Sequence, residues 1–366
     1  MATLGPNDLK QYALPSGWDA AEISRFSLRS GETYEALIND IAAALALQNG
    51  MLLQNPLVSG LVSVTEEMTV EYGMGVSNGY VTHTEYGQPD AGRGAVGGHM
   101  LPLFKKDRAL GWTFDFLESC RRSQIDEDIR AAMKDTRDIW EKEILQRLFK
   151  STYTTVGDSG KSYPVADAGT ADSTYVPINY PDRATAFASS HTHLGRQDGI
   201  TQTTLEVGVK HVWEHGYDAP FTVLVAQADI ASWTTVTTMT GYIPRAQEGI
   251  TYGSSQDLSV APPQYLGSIT TQYGPCYLMA TARIPTTFWS VFKSFGPEDP
   301  RNPLRVRVDP LYGVGAVLFA GDHIRRFPLE NALLQMRFGV GIGQDRCAAY
   351  LCRNAASSTY TDPTIV

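Results

Sequence analysis

The sequence predicts an α+β protein, and three observations predict it. One stretch, 123–150, is a long amphipathic helix. The second half of the chain is dominated by short strand-like runs, ending in a strict period-two segment at 334–342. Between the first helix and the long one lies a strand-like pair of segments around a glycine-rich tip, 87–98, with five glycines in twelve residues. A chain of 366 residues has ample material for a core.

Residues 1–20 read as an irregular arm. The run SGETYEALINDIAAALALQNG (30–50) reads as a helix that Ser30 or Thr33 can start and Asn49-Gly50 stops. PLVSGLVSVTEEMTVEYG (56–73) is rich in β-branched residues and reads as strand. YVTHTEY (80–86), the tip and the apolar HMLPLFKKDRALGWT after it complete a long hairpin. So long a loop fits an arm that finds its contacts on a neighbouring subunit better than a compact domain.

In the long helix, Ile125, Ile129, Met133, Trp140, Ile144 and Leu148 recur at helical spacing, with Thr136 and Ile139 between. Asp126–Arg130, Asp138–Lys142 and Glu143–Arg147 are i,i+4 pairs in the favourable order. Each such pair contributes only tenths of a kcal/mol, so the apolar stripe must supply most of the stability. At 1.5 Å per residue the helix is about 42 Å long. Residues 151–200 are polar and loop-rich. A helix over 203–215 follows, then a buried strand FTVLVA (221–226), a helix over 227–236, and several strands. LRVRVDPLYGVGAVLF (304–319) reads as two strands around Asp309-Pro310. In the closing strand Leu334, Met336, Phe338, Val340 and Ile342 share one face, and Gln335, Arg337, Gly339 and Gly341 the other. GQDR turns the chain and CAAYLCR returns, a closing hairpin.

The formal charge of −9 argues against tight nucleic-acid binding, which needs clustered Lys and Arg. No segment approaches the roughly 18 apolar residues that span a bilayer. The N-terminal MATLGPNDLKQYALPSGWD lacks a basic stretch followed by an apolar run, so no signal peptide is expected. Cys120, Cys276, Cys347 and Cys352 form no C-x-x-C pair and are expected to be buried thiols.

One motif invites a catalytic reading. HVWEH (211–215) spells H-x-x-E-H, and His191 and His193 stand twenty residues upstream, so four of seven histidines fall within 25 positions. The ligand types suit zinc, but the spacing does not select it. Thr203 and Glu206 suggest a capping box, and Gly216 stands at the helix C′ position, which makes His215 the last helical residue. On a helical wheel His211 and His215 lie roughly 140° and 100° from the apolar side Leu205, Val209, Val212 and Trp213, so neither is expected to face the core. A histidine at a helix C-terminus is favourable through the helix dipole alone. His191, His193, His211 and His215 are therefore read as structural, with a metal-dependent hydrolase as the rival reading. G-x-S-x-G, P-loop and helix-opening G-x-G-x-x-G patterns are missing, and GVGIG (339–343) lies inside the period-two strand. No catalytic residue and no cofactor are expected.

The order of these elements, with ALGWTFDFLES before the long helix and NALLQMRFGVGIGQDRCAAYL near the end, resembles the major capsid protein of tailed bacteriophages, the Hong Kong 97-type fold shared with encapsulins. The resemblance implies an N-terminal arm with helix (1–55), an E-loop hairpin with flanking strands (56–106), a peripheral (P) domain with spine helix 123–150 (107–200), an axial (A) domain (201–325), and closing P-domain strands with a tail (326–366). It implies a structural virion protein, made in the host cytoplasm, that assembles with itself into pentamers and hexamers of an icosahedral head around double-stranded DNA. Scaffolding, portal and decoration proteins are the implied partners. Arg93 on the hairpin, Trp140 on the helix and Arg337 on the closing strand are candidate assembly contacts. Some members weld their shells by a Lys–Asn isopeptide bond from an E-loop lysine. Here no lysine stands between Glu71 and Phe104, so that crosslink is not expected. An encapsulin-like container for enzymes is the near alternative, against which the long segment 151–200 counts.

Overall fold

The computed structural model describes residues 34–74, 95–113, 119–151, 193–245, 265–320, 329–343, 349–354 and 360–365, with short pieces at 31, 116, 154–156 and 160–162. Along the chain the first elements are α1 (Tyr34–Leu52), α2 (Pro56–Leu61), β1 (Val62–Thr65), β2 (Thr69–Met74), β3 (Ala95–Met100), β4 (Phe104–Thr113) and α3 (Arg122–Leu148). Then come β5 (Thr154–Val156), β6 (Gly160–Ser162), β7 (Leu194–Gln197), α4 (Gln202–Trp213), β8 (Phe221–Ala226), a 3₁₀ turn and α5 (Ile230–Trp233). The rest is strand: β9 (Tyr242–Pro244), β10 (Tyr265–Thr271), β11 (Gly274–Thr281), β12 (Phe288–Phe292), β13 (Leu304–Val308), β14 (Val317–Ala320), β15 (Leu329–Ile342) and β16 (Ala349–Asn354).

The chain divides into two compact units, each assembled from three separated segments. The first takes residues 1–55, 103–141 and 308–338; the second takes 56–102, 142–307 and 339–366. Neither unit is one continuous stretch of the chain.

In the first unit the long strand β15 pairs antiparallel with β4 from Leu329↔Thr113 to Phe338↔Phe104, and with β14 along Val317–Ala320. Leu334, Met336 and Phe338 are buried, as the period-two pattern predicts. Phe338 meets Trp140 of α3 with ring centroids 4.6 Å apart. The opposite face of β15 is covered as well, which the alternation did not foretell. Gln335 is buried and accepts a bond from the Tyr312 hydroxyl at 2.9 Å. Arg337 lies over the Tyr312 ring at 4.3 Å and donates to Asp309 at 3.1 Å. The turn after β13 closes on Asp309, whose carbonyl accepts from Tyr312 and Gly313 N–H, but β14 then pairs with β15 and makes no hairpin with β13.

Helix α1 buries Leu37, Ile41, Leu45 and Leu52 at intervals of about one or two turns. Its Asn49 side chain brackets Ala316, donating to the carbonyl at 2.8 Å and accepting from the N–H at 3.1 Å. On α3 the buried line runs Ile125, Ile129, Ala132, Thr136, Trp140, Ile144 and Leu148. The predicted Asp126–Arg130 pair is replaced: Asp126 takes Arg122 at 2.8 Å and Arg130 takes Glu127 at 3.3 Å. These exposed pairs are interchangeable at a cost of tenths of a kcal/mol.

In the second unit a seven-stranded sheet runs β7-β16-β12-β8-β11-β10-β9. Strand β8 lies mid-sheet between antiparallel β12 and parallel β11, and every residue in it is buried. That is why FTVLVA is apolar throughout rather than alternating. Helix α4 covers the sheet with Leu205, Val209 and Val212, which join Trp289, Val291 and Tyr350 in one core. Gly208 lets it approach: a Cβ there would sit 3.0 Å from both the Trp289 and Tyr350 rings. The last strand departs from expectation. β16 lies between β7 and β12 and does not return along β15. Its Ala349–Cys352 run is buried on both faces, the signature of an inner strand.

Two further corrections belong to this unit. Residues 56–61, expected as strand, form α2, with Pro56 at the first helical position, where its missing N–H costs nothing. Strands β2 and β3 pair antiparallel from Thr69↔Met100 to Met74↔Ala95, so the hairpin base is present and residues 95–98 belong to its strand rather than to its tip. Residues 75–94 lie outside the described residues. At the end of α3, Tyr360 donates to the Phe149 carbonyl at 3.0 Å and Asp362 accepts from Ser151 N–H at 2.8 Å and from Lys150 at 3.0 Å. Burial lowers the Arg147 guanidinium to about 10, against the opposing pull of the Asp362 charge.

Replacing Phe338 by Asp puts an unpaired charge against Trp140 and abolishes soluble subunit. Arg337→Gln removes one half-exposed ion pair and one ring contact and costs about 1–2 kcal/mol. Soluble yield and urea midpoints of the two variants check this; equal damage from both contradicts the two-faced description of β15.

Candidate functional site: assembly residues and a buried histidine cluster

The N-cap of helix α4 lies two residues earlier than its sequence suggests. Thr201, not Thr203, is the N-cap: its hydroxyl accepts from Thr204 N–H, and the Thr204 hydroxyl accepts from Thr201 N–H at 2.9 Å. Both threonines can serve a capping box, and only the chain's entry angle decides between overlapping T-x-x-T/E options. The helix ends at Trp213 with Glu214 as its C-cap, so Gly216, in the left-handed region at φ +86°, stands one position beyond the expected C′ place. His215 therefore lies in the turn beyond the last helical residue. The 100°-per-residue extrapolation stops applying there, and the expectation that it avoids the core is corrected: His215 is 1% exposed.

Three of the four candidate histidines come together. His193, just before β7, is buried and sends Nδ1 to the Ala349 carbonyl at 2.8 Å. Its Nε2 lies 2.7 Å from Nε2 of His215. His211 is half-buried, stacks on Tyr350 at 4.9 Å with the rings nearly parallel, and has its centroid 6.2 Å from that of His193. His191 lies outside the described residues. Two Nε2 atoms hydrogen-bonded to each other are occupied, and among the described residues no group of three or more His, Cys, Asp or Glu could hold a metal ion. The glutamate of H-x-x-E-H, Glu214, pairs with Lys210 at 3.2 Å. That pair raises the Lys210 ammonium, chiefly by the hydrogen bond.

The candidate assembly residues separate. Arg93 lies outside the described residues. Trp140 has no exposed surface and is packed on Phe338, so it belongs to the subunit's own core and offers no face to a neighbour, a correction to its expected role. Arg337 is part-exposed but engaged with Asp309 and Tyr312. Exposed apolar side chains that sequence reasoning passed over include Leu47 and Met51 one turn apart on α1, Leu311 in the turn before β14, Phe319 on β14, and Met68 and Met100 at the base of the β2–β3 hairpin. The signal for α1 was readable: residues 41–53 carry no charge at all. Cys120, Cys276 and Cys352 are buried, and burial pushes the Cys276 thiol up to about 12, which leaves it unreactive. Cys347 lies outside the described residues. No described helix is long and apolar enough to cross a membrane.

Comparison with solved structures places this geometry among known folds. A chain of Mycobacterium phage Patience matches with TM-score 0.63 and 18% identity, over 96% of this chain and 97% of that one. The cyanophage Pam1 capsid matches more loosely, at TM-score 0.47 and 11% identity over 79% of this chain and 85% of that one. The SrpI encapsulin complex of Synechococcus elongatus PCC 7942 stands at 0.42 and 15%, over 83% and 90%. No family model matches the sequence, and no curated protein matches it. The fold is thus a mixed α/β fold shared along almost its whole length with a phage chain, consistent with the Hong Kong 97-type expectation.

Purified protein is expected to hold well under one zinc per chain by elemental analysis, with circular dichroism unchanged by a chelator. Stoichiometric zinc whose removal unfolds the chain contradicts the hydrogen-bonded histidine arrangement, because structural zinc contributes directly to folding free energy.

Proposed function

We propose that this chain is the major shell subunit of a tailed-phage head, assembling with itself into pentamers and hexamers that enclose double-stranded DNA. The observation that carries the reading is the end-to-end fold match with the phage Patience chain, which leaves no large part of either chain unaccounted for. Supporting it are a hairpin anchored by β2 and β3, a 27-residue spine helix, and exposed apolar side chains on α1, β14 and the hairpin base. On this reading the second unit contains most of the axial domain, and α3 with β15 forms the backbone of the peripheral domain. The subunit works by shape, and no residue has a catalytic role. The head resides in the virion, with assembly in the host cytoplasm alongside scaffolding and portal proteins. A net charge of −9 suits the task, since a wall that repels DNA confines it without adhering to it.

Electron microscopy of the expressed protein is expected to show closed particles. Particles from infected cells that contain a protein cargo and no DNA would instead make it an encapsulin-like container, and a soluble monomer at all concentrations would overturn the shell reading. Deleting 87–94, short of the paired strand β3, should leave circular dichroism native-like, because deletions at loop tips are tolerated. The same deletion should prevent normal particles, since the lost contacts belong to a neighbour. Normal particles from the deleted chain would make the tip an idle loop.

A further inference from the structure

The His193–His215 pair has no part in the proposed shell reading, yet two buried imidazoles meet through their Nε2 atoms, with ring planes 38° apart. A carbonyl oxygen carries no hydrogen, so His193 Nδ1 must carry the proton in its 2.8 Å bond to Ala349. In uncharged His193 that leaves Nε2 as a lone pair. His215 then donates its Nε2–H across the 2.7 Å gap. The proton inventory of the neutral pair is therefore one N–H on each ring, with the shared bond running from His215 to His193.

We propose that this pair is a proton-operated clasp, closed when neutral, which fastens the end of α4 to the edge of the seven-stranded sheet and opens on acidification. One added proton keeps the shared bond but places a positive charge where both rings are at most 3% exposed. A second added proton sets N–H against N–H, and the bond is lost with two like charges in contact. Among the described residues, the titratable and charged groups nearest the pair are these. On α4, His211 is itself cationic when protonated, and Glu214 is taken by Lys210. On β16, Tyr350 and Cys352 face the α4 side of the sheet, are pushed up by burial and stay neutral. β12 contributes Trp289 and Ser290, neither titratable in this range.

The clasp joins three distant segments. His193 is held to β16 twice, through its side chain to Ala349 and through its carbonyl, which accepts from Leu351 N–H at 2.9 Å. His215 brings in the turn after α4. β7 is a four-residue edge strand with β16 as its one neighbour in the sheet, so it has little else to hold it. The sign follows from proton counting. In the unfolded chain both imidazoles take up protons near pH 6.5. The folded pair resists, so the unfolded state binds more protons and stability falls as pH drops through that range.

The test compares wild type with His215→Gln, whose amide can donate to His193 Nε2 without titrating. Between pH 7.5 and 5.5, each imidazole held uncharged in the fold lowers the folding equilibrium constant by about tenfold. Wild type should therefore lose on the order of tenfold more than the variant, read from urea titrations followed by tryptophan fluorescence. Equal losses overturn the proposal. Hydrogen exchange on the wild type alone gives a second readout that does not need the variant to fold. After correction for intrinsic rates, peptides covering 193–197 and 211–217 should lose protection at pH 5.5 while 221–226 keeps it. Unchanged protection at 193–217 overturns the clasp, whether or not the chain forms shells.

Discussion

A 27-residue helix with an apolar line from Ile125 to Leu148 cannot stand alone in water, and hiding that line is the constraint the rest of the subunit answers. Isolated helices gain little from propensity, so cover must come from tertiary contacts. Several distant segments provide them. Gln48 of α1 donates to the Met133 carbonyl, Trp112 of β4 donates to Asp128 at 3.0 Å, and Phe338 of β15 lies on Trp140. At the C-terminal end Tyr360 donates to the Phe149 carbonyl, an acceptor of the kind a helix end leaves bare, and Asp362 accepts from the Ser151 N–H just beyond. Each contact comes from a different part of the chain, which is why a helix so evident locally tells little about its surroundings.

What was legible in the sequence was whatever a short period can encode. β8 and the apolar face of β15 are found where the pattern puts them, and α3 within one or two residues. What failed were choices that depend on partners far away. The segment 56–61 has strand composition, but Pro56 can open a helix and the six residues do so. β16 looked like the return arm of a hairpin because it follows β15 so closely. Its place between β7 and β12 is decided by both faces of Ala349–Cys352 needing cover, which sequence spacing does not express. Trp140 stands on the apolar stripe and was also a candidate contact for a neighbour, and only the position of Phe338 shows it is already occupied.

The histidines show the same limit in another form. H-x-x-E-H describes spacing along a helix that would continue through its last letter. This helix stops at Trp213, so the second histidine swings inward to His193 while the glutamate stays out with Lys210. Motif and wheel shared one assumption, an unbroken helix, and both failed at the residue where it ended. Gly216 signalled a nearby end but sits two residues past the C-cap Glu214, and placing the helix boundary two residues earlier would have released His215 from the wheel.

The interleaving of the two units bears on how the chain is made. Each unit draws on three segments separated by long stretches that belong to the other. Until residue 354 has been synthesised, the larger sheet lacks the strand between β7 and β12, and α4 has only part of the surface it packs on. Contacts so distant in sequence form late and slowly. A nascent chain therefore cannot finish the first unit before residue 338, or the sheet of the second before residue 354. The topology thus delays completion of both units until almost all of these residues have been made.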